Sequence, residues 1–105
     1  MSKAEESKRD LERCRGNAVQ AGKLFAVRHS VDSRNLDPPS FRGTIAEAEA
    51  EADRIFVRLD TAQGADVHAR PSDMQKVEVW IERFSQREWT NVPGSNRRGY
   101  RDAQG

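Results

Sequence analysis

Residues 44–60 constrain what this chain can fold into more than any other stretch. Thr44 is followed three positions later by Glu47, the spacing of a capping box, in which the two side chains satisfy free backbone donors of a helix start. Alanines and glutamates then alternate from Ala46 to Ala52, and both are strong helix formers. Ile45, Ala48, Ala52, Ile55, Phe56 and Leu59 recur at i, i+3, i+4 spacing, so one stripe is apolar and the opposite side acidic. A helix of this length is marginal alone in water and needs a surface to cover its stripe. The small alanines early in the stripe predict close approach to a sheet, and the pattern stops near Asp60, before Gln63-Gly64.

Two stretches supply that sheet. In residues 23–32, Phe25, Val27, His29 and Val31 alternate with Leu24, Ala26, Arg28 and Ser30. Both sets begin apolar, so the start of this strand is expected to be covered on both faces. In residues 76–84, Val77, Val79 and Ile81 share one face, and Glu78, Trp80, Glu82 and Phe84 share the other. Residues 33–43 contain Asn35, Pro38-Pro39 and Gly43 and read as a loop with a short strand around 40–42, and residues 67–70 read as a short strand ending at Pro71. The expected fold class is α+β: a small, mostly antiparallel sheet of three or four strands with one helix across it, an N-terminal helix and a flexible C-terminal tail.

The ends are more polar. Ser2 and Glu5 form another capping-box pair, and residues 2–15 have helix-forming composition up to Gly16-Asn17, with a thin apolar stripe of Ala4, Leu11, Cys14, Ala18 and Val19. Residues 1–21 are therefore expected to be helical or ordered only in part. After Trp89 the chain turns to Asn91, Pro93-Gly94, Ser95-Asn96 and Arg97-Arg98-Gly99, too polar to offset the entropy of ordering. The expected organisation is a core of residues 22–90 followed by a flexible tail, 91–105.

Charge narrows the function classes. The 18 basic and 17 acidic residues nearly cancel, which argues against a wholly basic nucleic-acid binder. They are unevenly placed: residues 46–66 hold two basic and six acidic groups. Cys14 is alone, so neither an intramolecular disulfide nor a cysteine metal site is expected. Met1 to Asp10 is charged with no apolar run, and no stretch has the ~18 apolar residues of a membrane span, so a reducing cytoplasm is the expected compartment. His29 and His68 are the only histidines and lie in no metal-ligand spacing; glycine-rich phosphate loops and a nucleophile elbow are both missing. The expectation is a non-enzymatic protein with no cofactor and no metal.

Three clusters are candidate contacts. The first is the acidic helix side with Glu47, Glu49, Glu51 and Asp53, which would dock on a basic partner; the alternative is an ordinary solvated face. Trp80 and Phe84, rimmed by Glu78 and Glu82, form the second, an aromatic anchor unless the N-terminal helix or the Trp89 segment folds over it. Third are Arg97, Arg98 and Arg101 around Tyr100, candidate nucleic-acid contacts of low affinity or simply a solvated end.

The succession of Leu24-Phe25-Ala26-Val27, the helix from Thr44 to Ala52 and the strand from Val77 to Phe84 resembles the layout of small phage and mobile-element proteins, anti-CRISPR proteins among them. The resemblance covers about 60 of the 105 residues and carries over no site residue. It implies an inhibitor that blocks a host defence complex by occupying a basic site. Two other expectations stand beside this protein–protein binder. One is a nucleic-acid-binding accessory protein that uses Lys3, Lys8, Arg9, Arg13 and Arg15 with the tail arginines; the other is a minor structural or assembly protein.

Overall fold

The computed structural model describes residues 3–32, 34–35, 39–61 and 74–102. The expected strand at 67–70 lies outside them. Among the described residues the chain forms helix α1 (Lys3–Gln20), strands β1 (Phe25–Val31), β2 (Arg34–Asn35) and β3 (Ser40–Arg42), helix α2 (Ile45–Leu59), and strands β4 (Met74–Ser85), β5 (Glu88–Asn91) and β6 (Arg97–Asp102). All strand pairs are antiparallel. The protein is an α+β domain, with a mostly antiparallel sheet and two helices among the described residues.

β1 and β4 form the centre of the sheet, in register from Phe25 opposite Arg83 to Val31 opposite Val77. The long β4 has room for two neighbours on its far side. β5 pairs with its C-terminal end, Glu82 to Ser85, and β6 with its N-terminal half, Met74 to Val79. Likewise β2 and β3 share the outer side of β1. α2 lies on the face that carries Val27, Val79 and Ile81, and Ala48, Ala52 and Ile55 complete this core, with Phe25, Phe56, Leu59 and Val92 packed around it. Ala48 and Ala52 are wholly buried, as close helix–sheet approach requires.

The α2 cap has one half of the expected box, and in the other half the Glu47 carboxylate meets the Thr44 hydroxyl rather than a backbone N–H. The Glu47 N–H donates to Thr44 Oγ1 (3.2 Å), and the Thr44 hydroxyl donates to the Glu47 carboxylate (3.0 Å). Ile45 differs from expectation: it sits in the first turn and stays 38% exposed.

Two larger departures concern the ends. Rather than stopping near residue 15, α1 runs through Gly16 to Gln20. It closes at Gly22, whose φ of +77° suits a glycine. There Gly22 N–H reaches the Val19 carbonyl (3.0 Å) and Lys23 N–H the Ala18 carbonyl (2.8 Å), the two bonds of a Schellman stop.

The expected flexible tail over 91–105 is corrected by β6, and so is a core ending at residue 90. Arg97 to Asp102 pairs with β4, and Tyr100 is only 2% exposed. Little apolar burial is needed, because the free edge of β4 supplies main-chain partners that composition does not reveal. A turn brings the chain back: Val92-Pro93-Gly94-Ser95, with proline second, Gly94 at φ +77° third, and Ser95 N–H on the Val92 carbonyl (3.1 Å).

Candidate functional site

The acidic side of α2 is the first sequence candidate, and its carboxylates do not form one outward patch. Glu51 is buried at 8% exposure, with Arg42 Nη2 at 2.9 Å, Arg54 Nε at 3.2 Å and Arg54 Nη2 also in contact. The hydrogen bonds from Arg54, and after burial's opposing effect those from Arg42, hold its carboxyl below the ordinary value. Asp53 takes Arg97 Nε at 2.6 Å. Glu47 is engaged with Thr44, and Glu49 is exposed. The sequence places these acids on one helix but does not show that β3 and β6 bring arginines to two of them.

The tail arginines, the third candidate, supply part of that answer. Arg97 pairs with Asp53, and Arg98 Nε lies 2.8 Å from Glu78, whose carboxyl is lowered chiefly by that hydrogen bond. Arg101 is half-buried in β6. Charges that look like opposite docking surfaces along the chain are thus largely each other's partners.

On the second face of the sheet, away from α2, strand alternation gathers Ala26, Arg28 and Ser30 with Trp80, Glu82 and Phe84. Trp80 and Phe84 are each half-buried rather than open. The Trp89 ring from β5 lies 5.4 Å from Phe84 and 5.6 Å from Phe41 of β3. Phe41 pairs with Ala26, which is wholly buried; its single methyl leaves room for the rings to converge above β1. Leu24 closes this end: its carbonyl accepts the Phe84 N–H (2.8 Å), and its side chain is 37% exposed.

Arginines flank the aromatic group. Arg15 of α1 sits 5.8 Å from the Trp89 ring centroid and donates to Glu82 Oε1 at 2.6 Å. Arg28 sits 5.9 Å from the Trp80 ring and reaches the same Oε1 at 3.5 Å. The Trp80 indole N–H points to Glu82 Oε2, also at 3.5 Å. Of the sequence candidates, Trp80, Phe84, their rim residue Glu82 and Arg15 of the N-terminal basic group are brought together here, and Arg28, Phe41 and the Trp89 ring join them. One signal was legible: an arginine at position 28, between Ala26 and Ser30 on a strand apolar on both faces, demands a partner across the sheet.

Among the described residues no group of three or more His, Cys, Asp or Glu side chains gathers to hold a metal ion, and no helix is long and apolar enough to cross a membrane. Compared with known proteins, the chain matches no family model, no curated protein and no solved structure.

Proposed function

We propose that the chain is a non-enzymatic protein-binding domain that meets its partner through the aromatic end of the second sheet face, at Leu24, Phe84 and Trp89. One observation carries the reading: Phe41, Trp80, Phe84 and Trp89 all keep solvent-accessible surface there, beside Leu24 at 37% exposure. Tryptophan and arginine together at a partly dry surface are the residues that dominate interface energetics. The acidic side of α2 is the weaker candidate, because Glu51 and Asp53 already have arginine partners. Nucleic-acid stacking on the same rings is the weaker reading, because Arg15 and Arg28 exceed Glu82 by a single charge, little for holding a polyanion. Blocking a host complex, as the phage-type resemblance implies, is one form such binding can take.

The test is affinity capture from the native cell extract, with and without nuclease, using the wild type, Leu24→Glu and Glu49→Lys. The reading expects a nuclease-resistant partner that Leu24→Glu loses and Glu49→Lys retains. A partner released by nuclease, or one lost with Glu49→Lys but kept with Leu24→Glu, overturns it.

A further inference from the structure

Two charged side chains, Arg28 and Glu51, are buried among the described residues, and they are treated very differently. Glu51 accepts from both Arg42 and Arg54. Arg28, with its side chain 9% exposed, has among the described residues a single acceptor at the outer limit of a hydrogen bond, Glu82 Oε1 at 3.5 Å. That oxygen is already engaged by Arg15 at 2.6 Å. A guanidinium offers five N–H donors, so one shared carboxylate oxygen leaves most of them without an acceptor among the described residues. Arg15 Nε is in fact sealed from solvent with no partner among the described residues, the one side-chain atom in that condition. The unused donors of Arg28 are not sealed in this way and lie beside Trp80.

Two guanidiniums against one carboxylate leave a local charge of +1 in a site walled by the Trp80 and Trp89 rings. A partly desolvated excess charge of this kind favours an incoming anion, and the arginine fork matches the two oxygens of a carboxylate. We propose that Arg28 and Arg15 form a binding site for one carboxylate, the side chain of a Glu or Asp on a partner protein, seated beside Trp80. The proposal rests on the protein-binding reading and names the partner chemistry. A polyanion fits less well, because the excess is a single charge.

The experiment follows the Trp80 indole N–H by 15N NMR on the full chain, with the Trp89 signal assigned through Trp89→Phe. The probe is acetyl-Glu-Leu-amide; acetyl-Gln-Leu-amide at matched sodium chloride is the neutral control. Inorganic phosphate and an eight-residue oligothymidylate are the competing arms. The expected result is a saturable shift with a dissociation constant of roughly 1–100 mM, as two charge-assisted hydrogen bonds provide. The glutamine control produces none of it, and both Arg15→Gln and Arg28→Lys weaken it at least fivefold. If Arg28→Lys does not fold, Arg15→Gln alone carries the comparison. Equal shifts from the glutamine control, or undiminished affinity in the folded arginine variants, overturn the proposal. Tighter binding of the oligonucleotide at the same resonance overturns it in favour of nucleic acid. A chain that captures its partner through Leu24 yet shows no glutamate-dependent shift loses the carboxylate site and keeps the protein-binding reading.

Discussion

Ser95 shows how much one side chain can settle. It is 7% exposed, and its hydroxyl accepts the Ile81 N–H at 3.1 Å while donating to the Ile81 carbonyl at 3.3 Å. Ile81 lies between the stretches of β4 that pair with β5 and β6, so on that edge no strand residue faces it; Val92 N–H takes its carbonyl (2.8 Å) and the Ser95 hydroxyl its N–H. Ser95→Ala leaves a buried N–H without its partner and should cost about 1–3 kcal/mol by urea denaturation. A loss within error would mean that a water replaces the hydroxyl. Glu51 makes a pH-dependent contribution. Its carboxyl is held below its ordinary value of 4.5, so its stabilisation is complete above that value. It is lost as pH falls through the lower folded value. The stability gap between the wild type and Glu51→Gln should therefore be wide at pH 7 and close as pH drops below 4.5. A gap unchanged from neutral to strongly acidic solution would show that shape, rather than charge, accounts for it. Gly99 is fixed by contact: a Cβ there would lie 2.7 Å from Asp60 Cγ, at the C-terminal cap of α2, whose Oδ1 accepts the Tyr100 N–H at 3.2 Å.

At the scale of elements, the β4–β5 hairpin carries visible strain. Ser85 pairs with Glu88, leaving a two-residue turn, Gln86-Arg87, with φ of 52° and 65°. That is the left-handed pair a tight hairpin demands, and Asn-Gly is the pair that adopts it most readily. The double substitution Gln86→Asn, Arg87→Gly should stabilise the protein by roughly 1 kcal/mol, measured as a shift of the denaturation midpoint at unchanged slope. Destabilisation would show that the Arg87 side chain makes a compensating contact. The turn hides in the sequence because neither residue is a turn former, whereas Pro93-Gly94 announces its own. α1 teaches a similar lesson. Gly16 resembles a stop, yet a glycine inside a helix costs only about 1 kcal/mol. Burial of Ala18 and the Arg15–Glu82 contact offset it, and the chain waits for Gly22 to end the helix.

Across the whole molecule, the C-terminal segment is part of the core. Removing residues 97–105 strips β6 from the N-terminal half of β4, exposes the space filled by Tyr100 and unpairs Asp53 and Glu78. Loss of a buried aromatic alone costs about 3–5 kcal/mol, so the melting temperature should fall by on the order of 10 °C or more. A truncated chain that melts within a degree or two of the full one would contradict the placement of β6. The same strand redistributes charge: Arg97 neutralises Asp53 of α2 and Arg98 neutralises Glu78 of β4, which leaves the surface with less single-sign patterning than the linear sequence has.

What the sequence determined by itself is what short-range order encodes. The α2 cap and its apolar stripe, the alternation of β1 and β4, and burial on both faces at Ala26 each depend on residues within a turn or a pleat of one another, where spacing alone assigns direction. The tertiary structure alone decided the rest. Whether Arg97 to Asp102 is a strand depends on the vacant edge of β4. Whether Glu51 is a docking residue or a buried ion-pair partner depends on where β3 puts Arg42, and whether Trp80 and Phe84 lie open depends on Trp89 and Arg15 arriving from opposite ends of the chain. Main-chain hydrogen bonds at a sheet edge and charges paired across long loops carry no local periodicity, so only the closed fold reveals them.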